Sequence, residues 1–473
     1  MKTATSLPVF GGLLIAVLAA FAPPATTLGV ALFIALVCGA AVLRDDKAVA
    51  LLWGLSVVPL YLNVPGFDYP IPLALVVAAV LIWRTFVARH QAPNFGTTTD
   101  QVLVTILVGG AVISTLLSPN RLHASLNLLS LLAWLLVIPL ARAVYKKPED
   151  AAPSFRLLAI AVAAQAFLGF AQLAAGPRFT MGILTSPLAS VFFNENALLP
   201  RLARQDFNWA MFDWAFPSGL FINSIVYGLC LAIGGLTLIS VPPAWLPRHS
   251  VRVARTSGAI ALVAGFASFK VSVWLALVAG VIVLLVTQRS QGHHRLWRTL
   301  LPVVLVVGAA GLTREIVTRR LTDVLAVSVL ARLLIWSSYW GSLVHGGLIG
   351  TGPGQTEVIA PAVQTAAAGQ RLQLFAAPEN SWIGLAVEIG VPATAALLVL
   401  LIRLATRRRP PKAIPAAPGI IAALVGCTVG VHGLTDEHIL PLLALIGGVA
   451  SRLDSAETPF DRDAGSRVAG SLG

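Results

Sequence analysis

The chain has 473 residues, of which 57% are hydrophobic and only 11% are charged, and its mean hydropathy is +0.84. Soluble domains are usually about half apolar and about a quarter charged, so this composition excludes an ordinary water-soluble fold. The net charge of +13 would favour a nucleic-acid partner in a soluble protein, but its distribution along the chain requires none.

Apolar runs of membrane-spanning length follow one another along almost the whole chain. We identify fourteen candidate spans at residues 7–23, 25–43, 48–62, 70–88, 101–117, 124–144, 154–175, 217–240, 256–269, 271–287, 297–313, 380–402, 417–432 and 437–452. Several are short or closely spaced. The expected fold class is therefore an all-α, polytopic integral membrane protein with about 12–14 transmembrane helices, since about 20 apolar residues cross a bilayer core.

Basic residues concentrate in every second connection between the predicted spans. With the N-terminus inside, most of the 33 Lys and Arg residues fall in cytoplasmic segments, and Arg121 and Lys270 are the basic residues of the short outer connections. This distribution satisfies the positive-inside rule. Membrane lipids with anionic headgroups are sufficient partners for the excess charge, and nucleic acid is not an expected partner.

Two connections are long enough to carry chemistry, residues 176–216 and 314–379, and the charge bias places both outside the cytoplasm. Loops of this length in a compact protein are usually functional or disordered, and their aromatic content argues against disorder. The second, larger loop is expected to contain short amphipathic helices. We expect a single membrane domain over residues 1–454 and a disordered cytoplasmic tail over residues 455–473.

Polar residues recur near the outer ends of two predicted spans. Two sets have the spacing i, i+4, i+8 that places residues on one helix face, namely Gly219, Asn223 and Tyr227, and Asn380, Gly384 and Glu388. Glu388 is then about 12 Å below Asn380 along the helix axis. A carboxylate at that depth is costly unless it is paired or hydrated, which makes Glu388 a functional candidate. The alternative is a structural partner for a neighbouring helix.

Charged residues near the predicted outer interface add to these candidates. Lys270 interrupts an apolar stretch, Arg332 precedes Trp336 by four residues, and Glu379 stands where the larger loop re-enters the membrane. Each has a structural alternative: snorkelling for Lys270, a cation–π pair for Arg332 and an acidic helix start for Glu379. Together they suit cleavage of a lipid-linked diphosphate sugar, because cations neutralise the departing diphosphate and a carboxylate accepts the proton of an acceptor hydroxyl.

The segment Gly350-Thr351-Gly352-Pro353-Gly354 has the glycine content of a phosphate loop. It lacks the following Lys-Ser/Thr and a preceding strand, so a turn that needs glycine backbone angles is the favoured interpretation. No His-Glu-x-x-His motif, cysteine cluster or paired Asp motif indicates a metal, and no cofactor is expected.

The order of four motifs resembles that of the O-antigen ligase and O-antigen polymerase superfamily of bacterial envelopes. Ser218-Gly219-Leu220-Phe221-Ile222-Asn223 resembles the family's Ser-Gly-x-Phe-x-Asn, and Ser268-Phe269-Lys270 before Trp274 resembles its Ser-Arg-Gly-x-Trp. Arg332-x-x-x-Trp336 with Gly350-x-Gly352 is similar to the signature of the large periplasmic loop. Pro378-Glu379-Asn380-Ser381 before Glu388-Ile389-Gly390 is similar to the His-Asn-x-x-Leu and Glu-x-Gly re-entry motif. The resemblance covers residues 100–450, with Glu379 replacing the family histidine and Lys270 replacing an arginine.

The resemblance implies an inverting, metal-independent glycosyltransferase at the periplasmic face of the bacterial inner membrane. It would move or polymerise undecaprenyl-diphosphate-linked glycan in lipopolysaccharide or exopolysaccharide biosynthesis, with a growing glycan, a lipid or a protein as acceptor. Arg332 and Lys270 would hold the diphosphate and Glu379 would act as the base. The expected substrate-binding residues are Asn380, Asn223, Glu388, Gly352 and Gly354.

The main alternative function is a transporter or flippase of the same lipid-linked sugars. It requires polar residues along a path through the bilayer centre, and helices 101–175 offer little beyond Gln165 and Gln172. A cell-wall polymerase of the shape-and-division type is a third possibility that the motif order fits less well.

Overall fold

The computed structural model describes residues 24–62, 71–186, 189, 217–221, 223–268, 270–289, 333, 335–341, 343–344, 348–356, 380–406, 417–428 and 439–453. These residues are mostly helical. The helices are α1 (Pro24–Val42), α2 (Asp45–Leu55), α3 (Leu73–Ile82, continued by a π-helical turn, Trp83–Val87), α4 (Thr98–Leu117), α5 (Arg121–Val144), α6 (Ala152–Ala175), α7 (Pro177–Leu184), α8 (Ser224–Ser240), α9 (Arg248–Phe266), α10 (Val271–Arg289), α11 (Ser381–Ile389), α12 (Val391–Thr406), α13 (Ala417–Thr428) and α14 (Ile439–Leu453). Two-residue strands, β1 (Tyr61–Leu62) and β2 (Ile71–Pro72), form an antiparallel pair that the all-α prediction did not include.

Three helical stretches are long and apolar enough to cross a membrane, namely Thr98–Leu117, Arg121–Val144 and Glu149–Ala175. They coincide with the predicted spans 101–117, 124–144 and 154–175. Local signals fix two of their starts: Thr97 and Asp100 form a reciprocal capping box, and the side chain of Asn120 accepts a hydrogen bond from the amide of His123. Within other helices, the apolar stretches are shorter, for example Gly29–Val42 in α1 and Ser272–Thr287 in α10.

Successive long helices run in opposite directions, so turns cluster at two ends of the bundle. The loop end comprises residues 118–120, 217–221, 268, 348–356 and 380, and the basic end comprises residues 43–44, 88–97, 145–151 and 241–247. Contacts between distant segments support this assignment. Gln172 bonds to the backbone of Gly219 at the loop end, and Arg403 forms an ion pair with Asp100 near the basic end, 3.0 Å from Nε to Oδ1.

Helix α8 lies at the centre of the packing and is buried along its whole length except at Ile225. It contacts α6, α9, α10 and α13. Glycines allow the close approach of α8 and α9: a methyl group on Gly235 would lie 2.9 Å from the carbonyl oxygen of Gly258. Small residues of this kind let two helix backbones pack against each other. The turns at both ends of α8 are thereby held in fixed positions.

Several predicted spans differ from the helices at their ends, and the differences in two of them bear on the site. The span 217–240 becomes helical only at Ser224, and the span 380–402 is divided at Gly390 into α11 and α12. Gly390 has φ +88°, a left-handed conformation that favours glycine and ends a helix. Hydropathy does not mark either boundary, because the residues on both sides are mainly apolar.

Candidate functional site

Six of the eight predicted site residues lie in described parts of the chain, and all six are in segments that meet the loop end. They are Asn223, Lys270, Gly352, Gly354, Asn380 and Glu388. Arg332 and Glu379 lie outside the described residues.

Asn223 is the N-cap of α8 and does not share a helix face with Gly219. Its Oδ1 accepts a hydrogen bond from the amide of Ile225 at 2.8 Å, which satisfies one of the first amides of the helix. Gly219 precedes the helix with φ +57°. The predicted face of Gly219, Asn223 and Tyr227 is therefore wrong, because α8 begins at Ser224.

Two glutamines of α6 hold the segment before α8. Gln172 accepts hydrogen bonds from the amides of Ser218 and Gly219, at 2.9 and 2.8 Å, and donates one to the Gly219 carbonyl at 2.8 Å. Gln165 accepts one from the amide of Leu220 at 2.9 Å and donates one to the Val57 carbonyl at 3.0 Å. The side-chain amides of both glutamines therefore form hydrogen bonds that hold the backbone of residues 218–220 in place.

Lys270 lies in the turn between α9 and α10. Its carbonyl accepts hydrogen bonds from the amides of Val273 and Trp274, which start α10. The indole of Trp274 donates to the Phe266 carbonyl at 2.8 Å, and the two rings stack with centroids 4.9 Å apart. Ser268 is fully buried beside Gly228 of α8. The Ser268, Lys270 and Trp274 motif is therefore built into one compact turn against the central helix.

Asn380 is the N-cap of α11 and not, as predicted, a residue of the helix face that carries Gly384 and Glu388. Its Oδ1 accepts hydrogen bonds from the amides of Trp382 and Ile383, at 3.0 and 3.2 Å. Gly384 and Glu388 follow at i, i+4 spacing within α11 and share a face. The predicted alignment is correct for these two residues, with Asn380 as the cap that starts their helix.

The break between α11 and α12 is bonded to the backbone of residues 348–352. The amides of Thr351 and Gly352 each donate at 2.8 Å, to the carbonyls of Val387 and Glu388 respectively, and the amide of Val391 donates to the Leu348 carbonyl at 3.0 Å. A broken helix leaves carbonyl and amide groups without intrahelical partners. Here residues 348–352 provide hydrogen-bond partners for some of these groups.

The glycines of this loop are required by conformation and by space. Gly350, Gly352 and Gly354 have φ of +90°, +109° and +73°, where side chains are strained. A methyl group on Gly350 would lie 2.5 Å from the Gly390 nitrogen and 2.6 Å from the Glu388 carbonyl oxygen. Because the Thr351 and Gly352 amides already donate to α11, the geometry favours the turn interpretation over a phosphate cradle.

Glu388 is 7% exposed and lies beneath this loop. Its Oε1 accepts a hydrogen bond from the hydroxyl of Thr356. Burial, followed by the negative charge of Glu388, raises the pKa of Tyr339 to about 12, so the phenol keeps its proton at neutral pH. Gln355 is 1% exposed, and its Oε1 has no hydrogen-bond partner among the described residues. Glu388 is therefore the charged member of a buried polar cluster.

The turn between α4 and α5 completes this cluster with residues that the motif analysis missed. Ser118 lies against Gly352, with Oγ 2.7 Å from the position of a methyl group on that glycine. Similarly, a methyl group on Gly354 would overlap Asn127 and lie 3.1 Å from Nε2 of His123. His123 and Asn127 are spaced i, i+4 on one face of α5, and Asn120 is the N-cap of that helix. These polar residues were the available signal, but the predicted span 124–144 separates His123 from Asn127.

The structure thus brings Gly352, Gly354 and Glu388 into one cluster, while Asn223 caps α8 and Lys270 lies in the turn between α9 and α10. Among the described residues, no group of three His, Cys, Asp or Glu side chains can hold a metal ion. No protein-family model matches the sequence, and no curated protein matches it.

Proposed function

We propose that this chain is a polytopic protein of the bacterial inner membrane, with its loop end on the periplasmic side. Large aliphatic side chains are exposed along α4 and α10, at Val102, Ile106, Ile113, Leu116, Leu275, Val278, Ile282 and Val286. Such stripes are unfavourable in water and are typical of surfaces that face lipid. The arginines of the basic end fit the cytoplasmic side under the positive-inside rule.

We further propose that the loop end transfers glycan from undecaprenyl diphosphate to an acceptor, as the motif resemblance implies. The observation that carries this proposal is the buried carboxylate of Glu388, enclosed between the broken helix and the glycine loop. A buried charge in a membrane-embedded segment marks a functional site more often than a structural one. Lys270 and Asn380 belong to the same end of the bundle.

In the proposed reaction, an oxygen of the acceptor hydroxyl forms a bond to the anomeric carbon of the donor sugar. The bond from that carbon to the phosphate oxygen breaks, and its electron pair leaves with the lipid diphosphate. Glu379 accepts the hydroxyl proton, and Lys270 and Arg332 neutralise the diphosphate. Because Asn223 and Asn380 use Oδ1 as helix caps, their amide nitrogens are the groups available to the sugar. Glu388 supports the pocket from within the membrane.

The transporter alternative has less support. Gln165 and Gln172 are the polar residues it would use, and both are bonded to the backbone of other segments. Side chains whose donors and acceptors are already engaged are poor ligands for a passing sugar.

The test is glycan transfer by the purified full-length chain from a synthetic polyprenyl-diphosphate oligosaccharide, with product length read on gels. We expect Glu379→Gln to lower the rate by about 100-fold, the usual contribution of a general base. Lys270→Ala and Arg332→Ala should each lower it by about 100-fold through lost charge stabilisation. Arg121→Ala, which removes an exposed cation from the same end, is the matched control.

Full activity of all three variants would overturn the site assignment. A second assay separates the alternative function: reconstituted vesicles that move the labelled lipid-linked sugar across the bilayer, without forming a glycosidic product, would favour the flippase.

A further inference from the structure

A short helix lies in the larger predicted loop, ahead of the glycines at residues 350–354. Its described residues are 333, 335–341 and 343–344, and we call it the loop helix. Residues 333–344 include Trp336, Tyr339 and Trp340 and contain no Asp, Glu, Lys, Arg or His. A helix of this length extends about 18 Å, whereas about 20 residues are needed to cross the core of a bilayer. The loop helix is therefore too short to span a membrane.

One face of the loop helix packs on α11. Ile335, Tyr339 and Leu343 follow one another at i, i+4, i+8 spacing, and all three are buried in one cluster with Ala386 and Val387. Helix α11 itself contacts α4 and α12, and α4 is long and apolar enough to cross a membrane. The loop helix is thus held against the part of the bundle that is expected to lie in lipid.

A second face of the loop helix is apolar and exposed. Leu333, Trp340 and Val344, at i, i+7 and i+11, lie within an arc of about 40° and are 52%, 57% and 55% exposed. This arc is centred about 120° from the buried one around the helix. A helix with apolar residues on more than one face is normally enclosed, in a protein core or in a membrane. In the described part of the chain, protein covers only one of these two faces.

The turn after the loop helix also exposes large apolar residues. Leu348 and Ile349 are 41% and 44% exposed, and Leu348 has φ +65°, a conformation that is strained for a residue with a side chain. Two backbone hydrogen bonds hold it there. Its amide donates to the Leu343 carbonyl at 3.2 Å, and its carbonyl accepts from the amide of Val391 at 3.0 Å. The fold therefore keeps an exposed leucine in a strained conformation beside the break between α11 and α12.

The chemistry and position of the exposed face favour lipid as its partner. The face carries no charge, and tryptophan is enriched where membranes meet water, because its ring is apolar and its indole N–H is polar. Helix α4 also exposes large aliphatic residues up to its loop end, at Leu116 and Leu117. The next residue, Ser118, lies against Gly352. The apolar end of α4 and the loop helix are thus at the same end of the bundle.

We propose that the loop helix is an interfacial helix in the lipid leaflet at the loop end. Its exposed face, with Leu333, Trp340 and Val344, lies among the acyl chains, and its buried face lies against α11. The larger predicted loop is then not wholly aqueous, and a lipid surface borders the helix that carries Glu388. The inference rests on the membrane location proposed above and is independent of glycan transfer.

The test is a nitroxide spin label on single cysteines of the full-length chain, reconstituted in liposomes of phosphatidylcholine and phosphatidylglycerol. All variants have a Cys38→Ser background, in which Cys230 and Cys427 are buried. Collision rates with oxygen, which concentrates in the bilayer, and with a water-soluble nickel chelate give the depth of each label. We expect the label on Val344→Cys to lie about 5–10 Å below the headgroups. Leu333→Cys, on the same face, should give a similar depth.

Two further cysteines provide the references. Val278→Cys replaces a valine of α10 that is 49% exposed and represents the lipid-facing surface, and Arg121→Cys replaces an exposed residue at the loop end and represents the aqueous surface. Nickel collision at Val344→Cys equal to that at Arg121→Cys, with Val278→Cys in lipid, would overturn this inference alone. Low collision rates with both reagents would also overturn it, because another protein surface would then cover the face. Water exposure at Val278→Cys as well would overturn the proposed membrane location.

Discussion

Gln172 shows how much of the loop end depends on single side chains. Its amide makes three hydrogen bonds to the backbone of Ser218 and Gly219, far from it in sequence, and the residue is almost fully buried. The sequence alone indicated only that a polar residue lay in an apolar helix. Which backbone it would meet depends on how α6 and α8 pack, and periodicity within one segment contains no information about that.

We predict that Gln172→Leu lowers the free energy of unfolding by about 3 kcal/mol, because two amides and one carbonyl lose a buried partner. The measurement is thermal or denaturant unfolding of the purified chain in one detergent. Gln101→Leu changes an exposed glutamine of α4 and should leave the transition within error. A similar stability for both variants would contradict the role of Gln172 as a clamp.

The helices capped by Asn223 and Asn380 show what residue spacing can and cannot predict. The spacing of Gly384 and Glu388 correctly predicted that they share a helix face, because both lie inside α11. The same rule failed for Gly219 and Asn223, since Gly219 is in a left-handed turn and Asn223 is the cap. The i, i+4 spacing indicates a common face only when both residues lie within the helix. Asn is a preferred N-cap residue, so an Asn close to a helix start can cap the helix and lie outside it.

At the level of elements, the division of one predicted span into α11 and α12 is what creates the cluster around Glu388. An unbroken helix over residues 380–402 would form its own hydrogen bonds throughout and would leave no place for the loop. Gly390 allows the break, and Leu348, Thr351 and Gly352 bond to the groups on either side of it. Hydropathy cannot predict the break, because it is a property of neighbouring residues in the sequence, whereas the loop that bonds to the break lies about forty residues earlier.

We predict that Gly390→Ala destabilises the chain by at least about 3 kcal/mol, since a residue with a side chain is strained at φ +88°. The added methyl group would also lie 2.5 Å from the carbonyl oxygen of Ile349. Gly109→Ala is the matched control. Gly109 lies within α4 with open space around it, so alanine there should be neutral or stabilising by up to about 1 kcal/mol.

Unfolding midpoints in the same detergent compare the two variants. A Gly390→Ala protein as stable as Gly109→Ala would show that the loop and the helix break are not mutually dependent. A selective loss of glycan transfer with an unchanged midpoint would likewise contradict the expected loss of stability.

At the scale of the whole molecule, composition and hydropathy predicted the helical class and the three membrane-length helices well. Those properties sum over some twenty residues and tolerate errors at individual positions. The cluster around Glu388 was only partly predictable, because it joins the α4–α5 turn, residues 348–356 and α11, which are far apart in the chain. Motif order drew attention to Gly352 and Glu388 but gave no reason to include Ser118, His123 or Asn127.

The orientation of the helix bundle in the membrane is a property of the whole molecule that can be tested directly. Arg121 at the loop end and Gln91 at the basic end are both exposed, and α4 separates them, so they should lie on opposite sides of the membrane. In a Cys38→Ser background, where Cys230 and Cys427 are buried, we expect a membrane-impermeant maleimide to label Arg121→Cys in intact bacterial cells. Gln91→Cys should react only after permeabilisation.

The physical reason is the asymmetry of charge between the two ends. At the basic end, Arg84 and Arg89 precede Gln91 in sequence and pair with Asp45, and Arg44 pairs with Asp46. Basic residues of this kind are retained on the cytoplasmic side during insertion. Among the described residues, the turns between α4 and α5 and between α9 and α10 at the loop end carry only Arg121 and Lys270 as Lys or Arg residues. Labelling of Gln91→Cys alone in intact cells would reverse the orientation and place Glu388 and its loop on the cytoplasmic side. Transfer on the periplasmic side would then be excluded, because the candidate site would face the cytoplasm.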